Sequence, residues 1–194
     1  MKKILCIVPH RPARSPGQRF RIEQYLPFLK NNGYDIKYSF IVSEKDDKIF
    51  YSKGNYGYKL WIILKSFFKR FRDVFIAFKY DIVFIYREAN FLGTTFFERL
   101  FKLSGARIIF DFDDAIWIND VSDGNQDLKW LKRPSKTADI IQLSDLVFAG
   151  NNYLAAYAKK FNQNTKVVPT TIDTAYHNEI IKDYEKKPFC IGWT

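Results

Sequence analysis

The segment Asp111-Phe-Asp-Asp-Ala-Ile-Trp117 sets three carboxylates within four residues, at the end of an apolar run. Carboxylates gathered in that way are costly unless they are paired or used. Their chemistry suits ligation of a divalent metal, general-base work, or acceptance of hydrogen bonds from sugar hydroxyls. The plainer alternative is that one or two of them cap the next segment and pair with arginines. Strand alternation puts Asp111 and Asp113 on one face, with the chain turning at Asp114. No further ligand group accompanies them, so neither a metal nor another cofactor is expected.

The loop Pro9 to Arg21 is the second group. It carries His10, Arg11, Arg14, Gly17, Arg19 and Arg21. Four guanidinium groups suit a phosphate or carboxylate, and a helix beginning near Gly17 offers unpaired N–H groups to an anion. The same loop also reads as an exposed basic connection with no ligand, and His10 alone as an ordinary strand-end residue. Tyr86-Arg87-Glu88 and Asn151-Asn152 end two further apolar runs. Arg87 and Asn151 would line the same crevice, although Asn151 is also a normal helix N-cap.

The elements that must position these residues follow from hydrophobic patterning. Ile4–Val8, Ile36–Val42, Ile82–Tyr86, Arg107–Phe112, Leu146–Ala149 and Lys166–Val168 are short apolar runs. Continuous rather than alternating runs belong to strands buried on both faces. Helical patterns separate them: Arg19–Asn32, interrupted by Pro27; Tyr58–Lys79; Leu92–Leu103; about 126–143, interrupted at Pro134; and Tyr153–Phe161. Strand and helix in alternation predict an α/β, Rossmann-like open parallel sheet with helices on both faces. Gly33 and Gly105 stand where helices end in a left-handed residue. In the long helix, Leu60, Leu64, Phe68, Phe71, Phe75 and Phe78 share a stripe with Ile63, Phe67 and Val74, read as the core face. Lysines and arginines occupy the other side, with Trp61, Ile62 and Ile76 among them, a mixture that also suits an anionic membrane surface.

The chain has 194 residues, 31 basic against 21 acidic, and a net charge of +10. That surplus favours an anionic partner without choosing one. Cys6 and Cys190 sit far apart with no neighbouring His or Cys, which excludes a disulfide scaffold and a zinc site. The apolar stretch after Lys3 is too short for a signal peptide, and no run reaches the ~20 apolar residues of a membrane span. The expected location is cytoplasmic, with any membrane contact peripheral. Residues 1–172 read as one domain, 173–187 as a linker, and 188–194 as the first strand of a second, donor-binding domain that is cut short.

In their order, these pieces resemble the GT-B glycosyltransferases of the retaining, family-four type. The resemblance rests on Lys3-Ile-Leu-Cys-Ile-Val-Pro9, on Arg19 to Gly33 with its Tyr-Leu-Pro-Phe-Leu, and on Ile108 to Trp117. Ser144 to Asn151, Val167-Val-Pro-Thr-Thr-Ile-Asp173 and Ile191-Gly-Trp-Thr194 complete it. It implies the N-terminal, acceptor-side half of a GT-B fold, a nucleotide-sugar donor held mainly by the other half, and a glycan or lipid-linked acceptor. The loop Pro9 to Arg21 would touch acceptor and donor phosphate, with His10, Arg14, Gly17, Arg19, Arg21, Arg87, Asp111, Asp114 and Asn151 around the site. The position often held by a histidine in the family falls on Asp113, which would lie at the reacting sugar as the catalytic residue. The chain departs from the family in having one glycine, Gly17, where paired glycines are common, and Thr170-Thr171 where Asn-Gly is common. Half an enzyme of this kind is expected to be inactive alone.

Three rival readings stand beside this one. A non-catalytic Rossmann-like ligand-binding module would need the residues after Asp173 to fold back on the same domain. Nucleic acid is not expected as a partner, because no helix-turn-helix, RNA-recognition or zinc signature is present. A nicotinamide enzyme is disfavoured because the first turn lacks Gly-x-Gly-x-x-Gly.

Overall fold

The computed structural model describes residues 2–118 and 131–174. Among them six parallel strands form one sheet: β1 (Lys2–His10), β2 (Tyr34–Val42), β3 (Ile82–Tyr86), β4 (Arg107–Phe112), β5 (Leu146–Ala149) and β6 (Thr165–Val167). The spatial order is β2-β1-β3-β4-β5-β6. The chain therefore winds outward in both directions from β1 and β3, and the loops leaving those neighbours diverge. Open α/β sheets bind ligands at such a switch point, beyond the carboxyl ends of the strands.

Between the strands run α1 (Pro16–Arg21), a 3-10 turn (Glu23–Tyr25), α2 (Leu26–Asn31), α3 (Glu44–Phe50), α4 (Tyr56–Ala77), α5 (Phe96–Leu103), α6 (Lys136–Leu143) and α7 (Asn152–Ala158). On one face of the sheet, Leu5, Ile7, Val83, Ile85, Phe110 and Phe112 pack with residues of α4 to α7. Ile4 and Cys6 pack on the other face with Ile22, Leu26, Tyr38 and Phe84. This is the expected open parallel sheet with helices on both sides. Gly33 and Gly105 do adopt left-handed backbone, with φ of 81° and 80°. Burial pushes the Cys6 thiol up to about 12, so it packs as a small apolar group.

Three readings change. The first helical stretch is broken into α1, a 3-10 turn and α2, the last carrying Pro27 in its first turn. Helix α3 was not expected, yet Ser43 caps it by accepting from the Asp46 N–H at 3.3 Å. The largest correction concerns α4, whose stripe faces the wrong way. Lys59, Ile62, Ser66, Arg70, Asp73 and Ala77 are buried, whereas Phe68 and Phe75 are each 73% exposed. Arg70 sets this orientation, donating to Val8 O at 2.7 Å, Ala89 O at 2.6 Å and Asp73 at 2.9 Å. Of the sequence readings, residues 126–130, Cys190, most of the linker and the strand 188–194 lie outside the described residues.

Candidate functional site

The two neighbouring aspartates at the end of β4 have different partners. Asp111 is buried and accepts from two nitrogens of Arg21 from α1, Nε at 3.0 Å, while the third Arg21 nitrogen donates to Val168 O after β6. One side chain thus fastens α1 to the central strand and to the segment following the sheet edge. Burial pushes Asp111 up to about 6 against the pull of Arg21. Asp111 and Arg21 are therefore occupied with each other, beneath the crevice rather than in it.

Asp113, one residue pair further on, lies at the mouth. Its carboxylate accepts from the Tyr86 hydroxyl at 2.9 and 3.0 Å, and from Arg87 Nε and NH2 at 3.1 and 2.9 Å. Arg87 also donates to Asp114, which is largely exposed. Burial works against the Arg87 charge, but Tyr86, Asp113 and Asp114 more than restore it and raise its pKa. Arg87 has a left-handed backbone, φ 61°, which costs a non-glycine residue about 1–2 kcal/mol. Its N–H donates to Asp111 O at 2.8 Å, so the strained turn is bonded in place. Behind the acidic segment, Trp117 stacks on Tyr157 at 3.8 Å.

Gly17 closes the group from the β1 side. A Cβ there would stand 2.4 Å from the Tyr86 hydroxyl and 2.5 Å from an Asp113 carboxylate oxygen. The α1 backbone thus approaches Asp113 as only glycine allows. Gly17→Ala is expected to cost about 1–3 kcal/mol through overpacking, read as a lower urea midpoint. An unchanged midpoint would mean that α1 does not sit against Asp113.

The other candidate residues have partners of their own. Arg11 and Arg14 both donate to Asp47 of α3, Arg11 at 2.9 Å. Arg19 lies over the Phe20 ring at 4.8 Å, its buried Nε without a partner among the described residues. Asn151 caps α7, accepting from Leu154 N–H at 2.9 Å. Buried Gln18 was missed by the sequence reading: its amide donates to His10 O at 2.9 Å and to Glu23 at 2.8 Å, tying the loop to itself. Only its position three residues after a helix-starting Ser15-Pro16 hinted at a fixed role.

His10 is held with its Nε2 at 3.1 Å from the Tyr51 hydroxyl, and its Nδ1 has no partner among the described residues. Burial pushes it down to about 4, helped by Arg14, Arg87 and Arg11 and opposed by Asp47. An unfolded histidine titrates near 6.5. The folded value is depressed, so the stabilisation is complete above pH ~6.5 and is lost as pH falls towards 4. A loss on the order of 2–3 kcal/mol is expected over that interval. His10→Gln should flatten the pH dependence of the urea midpoint between pH 7 and 5, and an unchanged slope would be the contrary result.

Beside Arg87 and Asp114 a cavity of about 480 Å³ opens, bounded by Phe91, Ile116 and Thr137. Its floor is fixed by Lys136, which donates to Glu88 at 2.9 Å and to Leu92 O at 2.8 Å. The volume is within the range of small-molecule sites. Among the described residues, no group of three or more His, Cys, Asp or Glu is arranged to hold a metal ion.

No protein-family profile and no curated protein matches the sequence. Solved structures do match. An alpha-glucosyltransferase in complex with UDP and a 13-mer DNA containing a central A:G mismatch superposes with a TM-score of 0.50 at 13% identity, over 91% of this chain. The fold is glycosyltransferase-like. The chain spans 43% of that enzyme's length. An alpha-glucosyltransferase in complex with UDP-glucose and DNA containing an abasic site gives 0.48 at 14% identity, covering 90% of this chain and 44% of its own. The first of these structures overturns the expectation that nucleic acid is not a partner, since it is in complex with DNA. The expectation rested on the absence of dedicated reading motifs from the sequence. Among the described residues no helix is long and apolar enough to cross a membrane.

Proposed function

We propose that this chain is the acceptor-side half of a GT-B glycosyltransferase of the retaining, family-four type, transferring a sugar from a nucleotide-sugar donor. Residues 1–172 are assigned to that half. The observation that carries the reading is the convergence of Gly17, Arg87 and Asp113 at the switch point of the sheet, with the cavity beside them. A carboxylate held from behind by Tyr86 and Arg87 is suited to orient a sugar hydroxyl in the crevice. The leaving diphosphate would be stabilised by the other half.

The acceptor is a glycan or lipid-linked sugar. DNA is carried into the test because a structure with this fold is in complex with it. The test is to express the reading frame together with whatever sequence follows Thr194 and offer it a panel of nucleotide sugars. Glycan, lipid-linked and DNA acceptors are each added, and nucleoside diphosphate release is measured. Release dependent on one acceptor supports the proposal. Release with none, or robust transfer by the 194 residues alone, rejects it.

A further inference from the structure

The outward face of α4 is unusual for a surface helix. Leu60, Leu64, Phe68, Phe71, Phe75 and Phe78 recur three or four residues apart, and every one is exposed. The surface continues onto α5, where Phe71 meets Phe96 at 5.8 Å and Leu103 is also exposed. Isolated exposed apolar residues are common, but a contiguous aromatic stripe of two helices marks an interaction surface.

The charges around it all have one sign. Arg72 and Lys79, one turn on from Phe68 and Phe75, are exposed beside the stripe on α4, and Arg99 is exposed on α5. The acidic residues of the two helices, Asp73 and Glu98, are both buried. Trp61, Tyr56 and Tyr58 are exposed at the opening turns of α4, residue types that settle at a membrane–water boundary. The helix cannot roll to hide the stripe, because Arg70 and Asp73 anchor its opposite side in the core.

We propose that this α4–α5 face seats the protein on an anionic lipid bilayer, the aromatic stripe entering the acyl boundary and the basic border meeting the headgroups. Apolar contact and anionic attraction together give the two signals that stable peripheral binding needs. A second copy of the chain is disfavoured as occupant, since pairing the stripes would bring two basic borders together on molecules each carrying +10. The inference stands apart from the sugar-transfer reading, and its test needs no activity.

The full chain is floated with vesicles of phosphatidylglycerol and phosphatidylcholine mixed, or of phosphatidylcholine alone. Binding is expected only with the anionic lipid, falling in high salt. Phe68→Ser with Phe75→Ser should weaken it about a hundredfold, and Lys79→Glu with Arg99→Glu at least about tenfold. All four side chains are exposed, so unfolding midpoints should stay close to the parent. No flotation with anionic vesicles overturns the proposal, as does equal binding to phosphatidylcholine alone. So does flotation indifferent to the phenylalanine pair. Sedimentation supplies a further check, since a dimer abolished by the phenylalanine pair without vesicle binding assigns the face to a second copy. Binding of a DNA fragment weakened as much as vesicle binding by that pair assigns it to nucleic acid.

Discussion

Arg70→Met is expected to lower stability by about 3–5 kcal/mol, the usual consequence of removing one member of a buried ion pair. Both Arg70 and Asp73 are fully enclosed, and their contacts run in three directions. The guanidinium donates to Val8 O from β1, to Ala89 O after β3 and to Ser39 on β2, while Ser39 donates to Asp73 at 2.6 Å. Burial pushes the Arg70 pKa down and Asp73 opposes that. Methionine fills much of the space but leaves Asp73 without its cation and takes a donor from the Val8, Ser39 and Ala89 carbonyls. Against a typical total of about 5–15 kcal/mol, this is a large fraction. The fall in Tm should be on the order of 10 °C. Arg70→Met with Asp73→Leu removes both charges and should recover most of the loss, since apolar replacement of a whole buried pair is often neutral. A single variant with the parent midpoint would show that Arg70 does not anchor the helix.

The same pair explains why the sheet was legible in the sequence and the orientation of α4 was not. Strands such as Ile82–Tyr86 and Arg107–Phe112 are read correctly because a strand covered on both faces admits little besides apolar residues. For α4 the amphipathic rule assumes that the apolar stripe faces in. Here Lys59, Ser66, Arg70 and Asp73 are inside, at the same three- and four-residue spacing, and the aromatic stripe is outside. Spacing identifies two faces of a helix; only contacts with strand-end carbonyls decide which is buried. Helix α3 had a readable start in Ser43 and Asp46, but its acidic first turn resembled a polar loop. At the site the residue types were legible and their pairing was not. Asp111 and Asp113 are two residues apart, yet one meets Arg21, ninety positions earlier, and the other meets Arg87. Those partners depend on how the β1 and β3 loops diverge, which no local pattern encodes. Gly17 was visible as a glycine in the expected binding loop, but the side chains it makes room for were not.

Asp113→Asn is expected to lower kcat/KM of the complete enzyme by at least about a hundredfold, the scale of effect that follows from mispositioning a reacting group by an ångström. Three donors from Tyr86 and Arg87 fix the carboxylate, and Gly17 leaves it no space to swing towards α1. An asparagine amide can keep its oxygen towards Arg87, but it loses the negative charge and replaces the second carboxylate oxygen with an N–H donor, so Arg87 would draw towards Asp114 and the group could no longer accept from a sugar hydroxyl there. Asp113→Glu should not rescue, because the added methylene meets the α1 backbone at Gly17. Tyr86→Phe keeps the charge and the Arg87 bonds, and about a tenfold loss is expected from one missing hydrogen bond. A purely structural Asp113 would behave differently: its variants would lower the unfolding midpoint and leave turnover by the folded fraction intact. A kcat loss at unchanged midpoint assigns Asp113 to the reacting sugar. Parent-like turnover in folded Asp113→Asn removes it from that role, and with it the placement of the reaction at this crevice.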